Sequence, residues 1–200
     1  MAVFDISGIL RYFYFFFPYP FVKTFSETLN ADGTGWEGYC LVQRIEAVRL
    51  SRSGKRVRLT LRASLTSAAY IDRIYISRAA PAGDPYDSAA DLTQVTWLAL
   101  APAAALVIPA GQFVTLPFQD LTYNLDEGQP LLIAVDFSAA HPSGLKCTKA
   151  VPIEQACAYY KSGAEAAKPD RSGFTQLPGI YLIEKIEVSA SAVGAFTPGG

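Results

Sequence analysis

Few residues in this chain are of a type that does chemistry. His141 is the only histidine, so a Ser-His-Asp relay would have to run through it. No G-x-S-x-G elbow precedes it. It lies in Ala140-His-Pro-Ser-Gly144, a turn composition, and reads as a solvated turn residue. The three cysteines, Cys40, Cys147 and Cys157, are odd in number and far apart, unlike a disulfide framework. They read as small buried hydrophobes in reduced form, with a Cys147–Cys157 bridge across neighbouring strands left open. Zinc would want ligands at C-x2-C spacing, which is absent. Asp84, Asp87 and Asp91 fall in one loop and could offer oxygen ligands to Ca²⁺. The competing reading is turn and cap chemistry beside Pro85 and Ser88. Glycoside hydrolysis needs two acids flanking a sugar. Asp126 and Glu127 are adjacent, in a turn before Gly128, and would point apart on a strand. No catalytic residue and no cofactor is expected, and the chain is read as a non-enzyme.

Sugar binding asks for something else, aromatic rings beside polar side chains. Tyr86, Trp97, Tyr123, Tyr159 and Tyr160 are the candidates for glycan contact, each weighed against packing in or beside the core. Trp36, between Gly35 and Glu37, reads as a cover for the first strand.

The elements that would position such residues are strands. The chain has 200 residues, with 50% apolar and 18% charged residues. That is enough for one sizeable core. The 15 Gly and 13 Pro, with abundant β-branched and aromatic residues, exclude a helix bundle. A net charge of −1 excludes a general electrostatic grip on nucleic acid. Lys55 to Arg62 alternates, with Val57, Leu59 and Leu61 on one face and Arg56, Arg58, Thr60 and Arg62 on the other. The basic face is a solvated one that resists edge pairing, with a polyanion strip as the sharper alternative. Leu41 to Leu50, Tyr70 to Arg78, Thr93 to Leu98, Phe113 to Phe118, Gln155 to Tyr160 and Ile180 to Val188 read as further strands. Leu131 to Phe137 is apolar throughout and reads as central. Alternation is imperfect over Ile180 to Val188. Short strands with frequent turns predict an all-β, antiparallel β-sandwich of jelly-roll type.

The N-terminus is different. Eight aromatics, Tyr12, Phe13, Tyr14, Phe15, Phe16, Phe17, Tyr19 and Phe21, lie in ten residues. Asp5 before the run and Pro18 and Pro20 within it do not suit a secretory signal. The run is also too short for a membrane helix. One strand cannot hide so many rings on one face, and exposed they would be a liability. The reading is an extended arm that buries these rings against another subunit, with a membrane interface as the alternative and no membrane span. The expected division is an arm and linker over 1–34, a β-sandwich over 35–190 and a flexible tail over 191–200.

One ordered series of segments is familiar. It runs from Gly54–Ala63 through Ala69–Ser77 and Gly83–Ser88, then Ile108–Gly111 with Phe113–Leu116, to Gln129–Asp136. The series resembles a β-sandwich module of structural proteins, tail fibres and head spikes among them, in tailed bacteriophages and phage-like gene transfer agents. The resemblance implies a non-enzymatic virion component located in the particle. It further implies other virion proteins as partners, a trimer as the first expectation for the homo-oligomer, and a sandwich of sugar-binding type; a carbohydrate-binding module for a host surface glycan is the alternative reading, and a small hydrolase the third.

Overall fold

The computed structural model describes residues 21–97 and 105–189. Tyr12, Phe13, Tyr14, Phe15, Phe16, Phe17 and Tyr19, and the tail over 191–200, lie outside the described residues. Among the described residues fifteen strands follow in chain order: β1 Phe21–Ser26, β2 Ala31–Thr34, β3 Tyr39–Ile45, β4 Gly54–Arg62, β5 Ala69–Arg78, β6 Thr93–Gln94, β7 Leu106–Ile108, β8 Phe113–Thr115, β9 Gln119–Leu125, β10 Leu131–Phe137, β11 Gly144–Thr148, β12 Ala156–Ser162, β13 Thr175–Pro178, β14 Ile180–Tyr181 and β15 Ile183–Ser189. One 3-10 turn, Ala47–Arg49, interrupts them.

The strands form three antiparallel sheets. A five-stranded sheet runs β1-β15-β4-β8, with β9 also paired to β4. A seven-stranded sheet runs β13-β12-β3-β10-β5-β6, with β7 also paired to β5. A small sheet, β14-β11-β2, adjoins them. One apolar core joins Val57, Leu59, Leu61, Ile186 and Val188 of the first sheet to Leu41, Ile45, Ile74, Ile76, Ile133 and Val135 of the second. The all-β sandwich is therefore as expected. In β4 the predicted face is buried, and the opposite face carries Arg56, Arg58 and Arg62, which pair with Asp120, Glu187 and Glu184. The basic strip is thus balanced by carboxylates. β10 is buried along its whole length, because sheet neighbours flank it on both edges and the core and two loops cover its faces.

The boundary expected at residue 34 moves. Residues 21–34 are not a linker: β1 pairs with β15 and β2 pairs with β11. Phe25 is 2% exposed, because the β1 edge completes the five-stranded sheet over the core. The strand expected over Phe113 to Phe118 is shorter, β8 over Phe113–Thr115, and β9 starts beyond Pro117 at Gln119. The broken alternation near residue 182 has a local cause. Leu182 is fully buried with φ 65°, a region that non-glycine residues rarely enter. There the chain steps from the small sheet to the five-stranded one. Leu182 donates its N–H to Lys146 O at 2.8 Å and accepts from Arg62 N at 2.9 Å.

Candidate functional site

The inner face of the seven-stranded sheet carries aromatic rings at one end. Tyr39 on β3 and Tyr160 on β12 face the same way as Leu41 and Ala158 of the core. Their ring centroids are 5.9 Å apart. The turn after β2 brings Trp36 to them. Its N–H donates to Ser143 O at 3.1 Å, and its carbonyl accepts from Tyr39 N at 3.2 Å. Trp36 lies 6.4 Å from Tyr39, 6.0 Å from Tyr160 and 5.8 Å from Tyr181, ring centre to ring centre, all near edge-to-face. Such edge-to-face pairs stabilise by about 0.5–1.5 kcal/mol beyond area burial. A Cβ on Gly33 would stand 3.1 Å from Trp36 Nε1, so the backbone approaches the indole as closely as glycine allows.

Tyr181 is set by a buried amide. Gln43 is 1% exposed, and its Oε1 accepts the Tyr181 N–H at 2.8 Å. Its Nε2 donates to Cys157 O at 2.9 Å and to Gly179 O at 3.2 Å. Gly179 itself has φ +95°, and a Cβ there would come within 1.9 Å of Thr148 O. Only glycine can make this turn.

Together these rings line a cleft of about 300 Å³, with Asp32 and Lys149 at its rim. That is at the small end of ligand sites. Trp36 Nε1 and the hydroxyls of Tyr39, Tyr160 and Tyr181 have no hydrogen-bond partner among the described residues, and none is sealed off. Burial pushes the Tyr181 hydroxyl up to about 12, so it stays a neutral donor. The Leu65 N–H, with help from Lys146 against partial desolvation, holds the Asp32 carboxyl below its usual value. The Leu65 bond is 2.7 Å and the Lys146 bond 3.1 Å. Lys149 makes no ion pair among the described residues. The cleft thus brings ring faces, neutral donors and two flanking charges together.

Of the predicted glycan contacts, Tyr160 alone lines this cleft. Tyr86 and Tyr159 do meet, at 5.2 Å, with Phe174 stacked 4.9 Å from Tyr86. They are 8% and 5% exposed, because the loops after β5 and β12 close over them. Tyr86 donates to Asp84 Oδ2 at 2.8 Å, and the Tyr159 hydroxyl accepts from Gln176 Nε2 at 3.1 Å. These rings staple the loops together. Tyr123 is buried with Arg78 over its ring at 5.3 Å. Trp97 is half-buried against the core. The sequence reading missed Trp36 as a ring of the site, along with Tyr39, Tyr181, Lys149 and Asp32. The one local signal was two aromatics, Trp36 and Tyr39, three apart among Gly33, Gly35 and Gly38.

The three loop aspartates do not converge. Asp87 turns inward, and its Oδ2 and Oδ1 accept the N–H groups of Asp84 and Arg171, both at 2.8 Å. Asp91 pairs with Arg78 at 2.5 Å. Arg171, 2% exposed, donates to Tyr86 O, Ser88 Oγ and Ala166 O and so ties the two loops together. Among the described residues no group of three or more His, Cys, Asp or Glu is placed to hold a metal. Cys40, Cys147 and Cys157 are buried free thiols. His141 sits in its turn, stacked on Tyr70 at 4.5 Å.

Phe21, the one described ring of the N-terminal aromatic run, lies flat against Phe118, with centroids 3.4 Å apart and planes within 6°. Arg58 sits over both rings, at 4.8 Å from Phe118 and 5.3 Å from Phe21. Phe21 thus lies on the outer, arginine-bearing face of the five-stranded sheet. In comparison with known proteins, the chain matches no family model and no curated protein.

Proposed function

We propose that this chain is a non-enzymatic β-sandwich attachment protein of a phage or phage-like particle, and that its aromatic cleft takes one ring of a host surface glycan. The observation that carries the glycan reading is that Trp36, Tyr39, Tyr160 and Tyr181 line one cleft while their four ring polar atoms have no hydrogen-bond partner among the described residues. A sugar offers an apolar C–H face for the rings and hydroxyls for those atoms. The virion setting is supported by the series of segments from Gly54 to Asp136. Subunit docking through the N-terminal aromatics, in a trimer, is supported by their number.

Tryptophan fluorescence tests the cleft. In a Trp97→Phe variant, Trp36 is the one remaining indole. Titration with oligosaccharides released from bacterial surface polysaccharide should shift its emission saturably. A flat titration across neutral and acidic oligosaccharides would count against a sugar in this cleft.

A further inference from the structure

On the outer face of the seven-stranded sheet, across the Gly35–Gly38 turn from the cleft, lies a separate polar bay of about 590 Å³. A β-bulge builds it. Asp136 pairs with Arg73, but Phe137 pairs with Ile71, so Asp72 is the extra residue of β5. Ile71 and Ile74 are both fully buried, whereas Asp72 and Arg73 are both exposed. The bulge thus turns two consecutive charged residues to one side, as bulges do where a side chain must be re-aimed. Neither Asp72 nor Arg73 makes an ion pair or a side-chain hydrogen bond among the described residues. Tyr75 and Gln94 complete the wall, with the Tyr75 hydroxyl donating to Gln94 Oε1 at 3.3 Å.

At the back of the bay stands Asp136, 3% exposed. Its Oδ1 accepts the N–H groups of Glu165 and Ala166, both at 2.9 Å. Its Oδ2 is sealed from water and has no hydrogen-bond partner among the described residues. The Cys40 thiol beside it, pushed up by burial and then by the Asp136 charge, is at most a weak donor. A buried carboxylate oxygen left without a donor is costly. Gly163, in the wall just before those two amides, has φ +104° and nothing within 4 Å of where a Cβ would lie, so this wall has room to give way.

We infer that this bay is a second ligand site, and that its ligand is a neutral polyhydroxylated molecule whose hydroxyl donates to Asp136 Oδ2 when the Gly163 wall moves aside. The charges decide the class. Arg73 disfavours a cation, and Asp72 with Asp136 disfavours an anion. A hydroxyl both donates and accepts, so a vicinal pair serves the carboxylates and the guanidinium together, with Tyr75 beneath the ring. The bay does not depend on the cleft being a sugar site.

The test is ¹H–¹⁵N NMR on the full chain with D-glucose, D-galactose and D-mannose, and with glycine and putrescine as charged probes. At least one sugar should shift the Glu165 and Ala166 amides and the Gln94 side-chain amide, and neither charged probe should. Gln94→Ala and Asp72→Ala, both at exposed positions, should weaken that response about tenfold. Asp136→Asn, which keeps an acceptor for the two amides, should abolish it. The proposal is overturned if no sugar moves these amides, if the exposed variants respond as the wild type does, or if glycine or putrescine binds instead. Failure of the cleft would show separately, at the Trp36 indole.

Discussion

The Tyr181 N–H donates to Gln43 Oε1 at 2.8 Å, both groups being buried and 138 residues apart in the chain. This bond fixes one wall of the aromatic cleft from the interior of the sandwich. Gln43→Leu would leave Tyr181 N, Cys157 O and Gly179 O without their amide partner. The expected loss is on the order of 3 kcal/mol. Urea unfolding of the variant beside wild type measures it, and the Trp36 emission should shift as Tyr181 loosens.

The register of β4 makes a sharper contrast. Val57 is fully buried, and Arg58, its neighbour, pairs with Glu187 at 2.8 Å on the outer face. Val57→Asp should cost several kcal/mol, because it buries a carboxylate without a partner. Arg58→Ala should cost about 1 kcal/mol or less. Thermal melts of the two variants should therefore differ widely.

How much of this was legible in the sequence varies element by element, for physical reasons. β4 and β5 show as alternation because one face of each meets the core and much of the other meets water. β10 shows as an unbroken apolar run because it is covered on both faces. β2, Ala31-Asp-Gly-Thr34, carries no such pattern. It is a strand because β11 lies beside it, which is a fact of topology, and its Gly/Asx composition reads as a turn. β9 alternates cleanly, with Leu121, Tyr123 and Leu125 inward, but Pro117 breaks it from the strand before it. The cleft draws its walls from 32–39, 147–149, 160 and 177–181. No spacing rule links those segments, so Tyr160 alone was named in advance. Tyr86 and Tyr159 looked the same in sequence, and only the loops closing over them decide their role.

Alkaline pH should unfold the protein through its buried phenols. Tyr181 has a value of about 12 folded against 10.0 for the free side chain, burial being the first cause. The unfolded chain therefore loses this proton first. The stabilisation from keeping Tyr181 neutral is complete below about pH 10 and is lost between about 10 and 12. Buried Tyr123 and Tyr159 are raised in the same direction. Denaturant midpoints measured from pH 8 to 12 should fall across that window, and Tyr181→Phe should flatten part of the fall.

Truncation separates the aromatic run from the body. Removing residues 1–20 should leave a folded sandwich, since β1 begins at Phe21. Removing residues 1–28 should destabilise it strongly, because buried Phe25 goes with β1. Loss of a buried phenylalanine side chain alone costs about 3–5 kcal/mol. Circular dichroism distinguishes the two. Light scattering should show the full chain as an oligomer, a trimer by expectation, and the 21–200 form as a monomer.

A sugar held by the rings around Trp36, as proposed, should register on a glycan array. Wild type and the Tyr39→Phe and Tyr160→Ala variants should be applied at equal concentration, with melting temperatures checked beforehand. Wild type should bind a defined glycan class. Tyr160→Ala should lose that signal, and Tyr39→Phe, lacking one free hydroxyl, should weaken it about tenfold while keeping the wild-type melting temperature. Folded wild-type protein that binds no glycan, or variants that bind as well as wild type, would contradict the proposal.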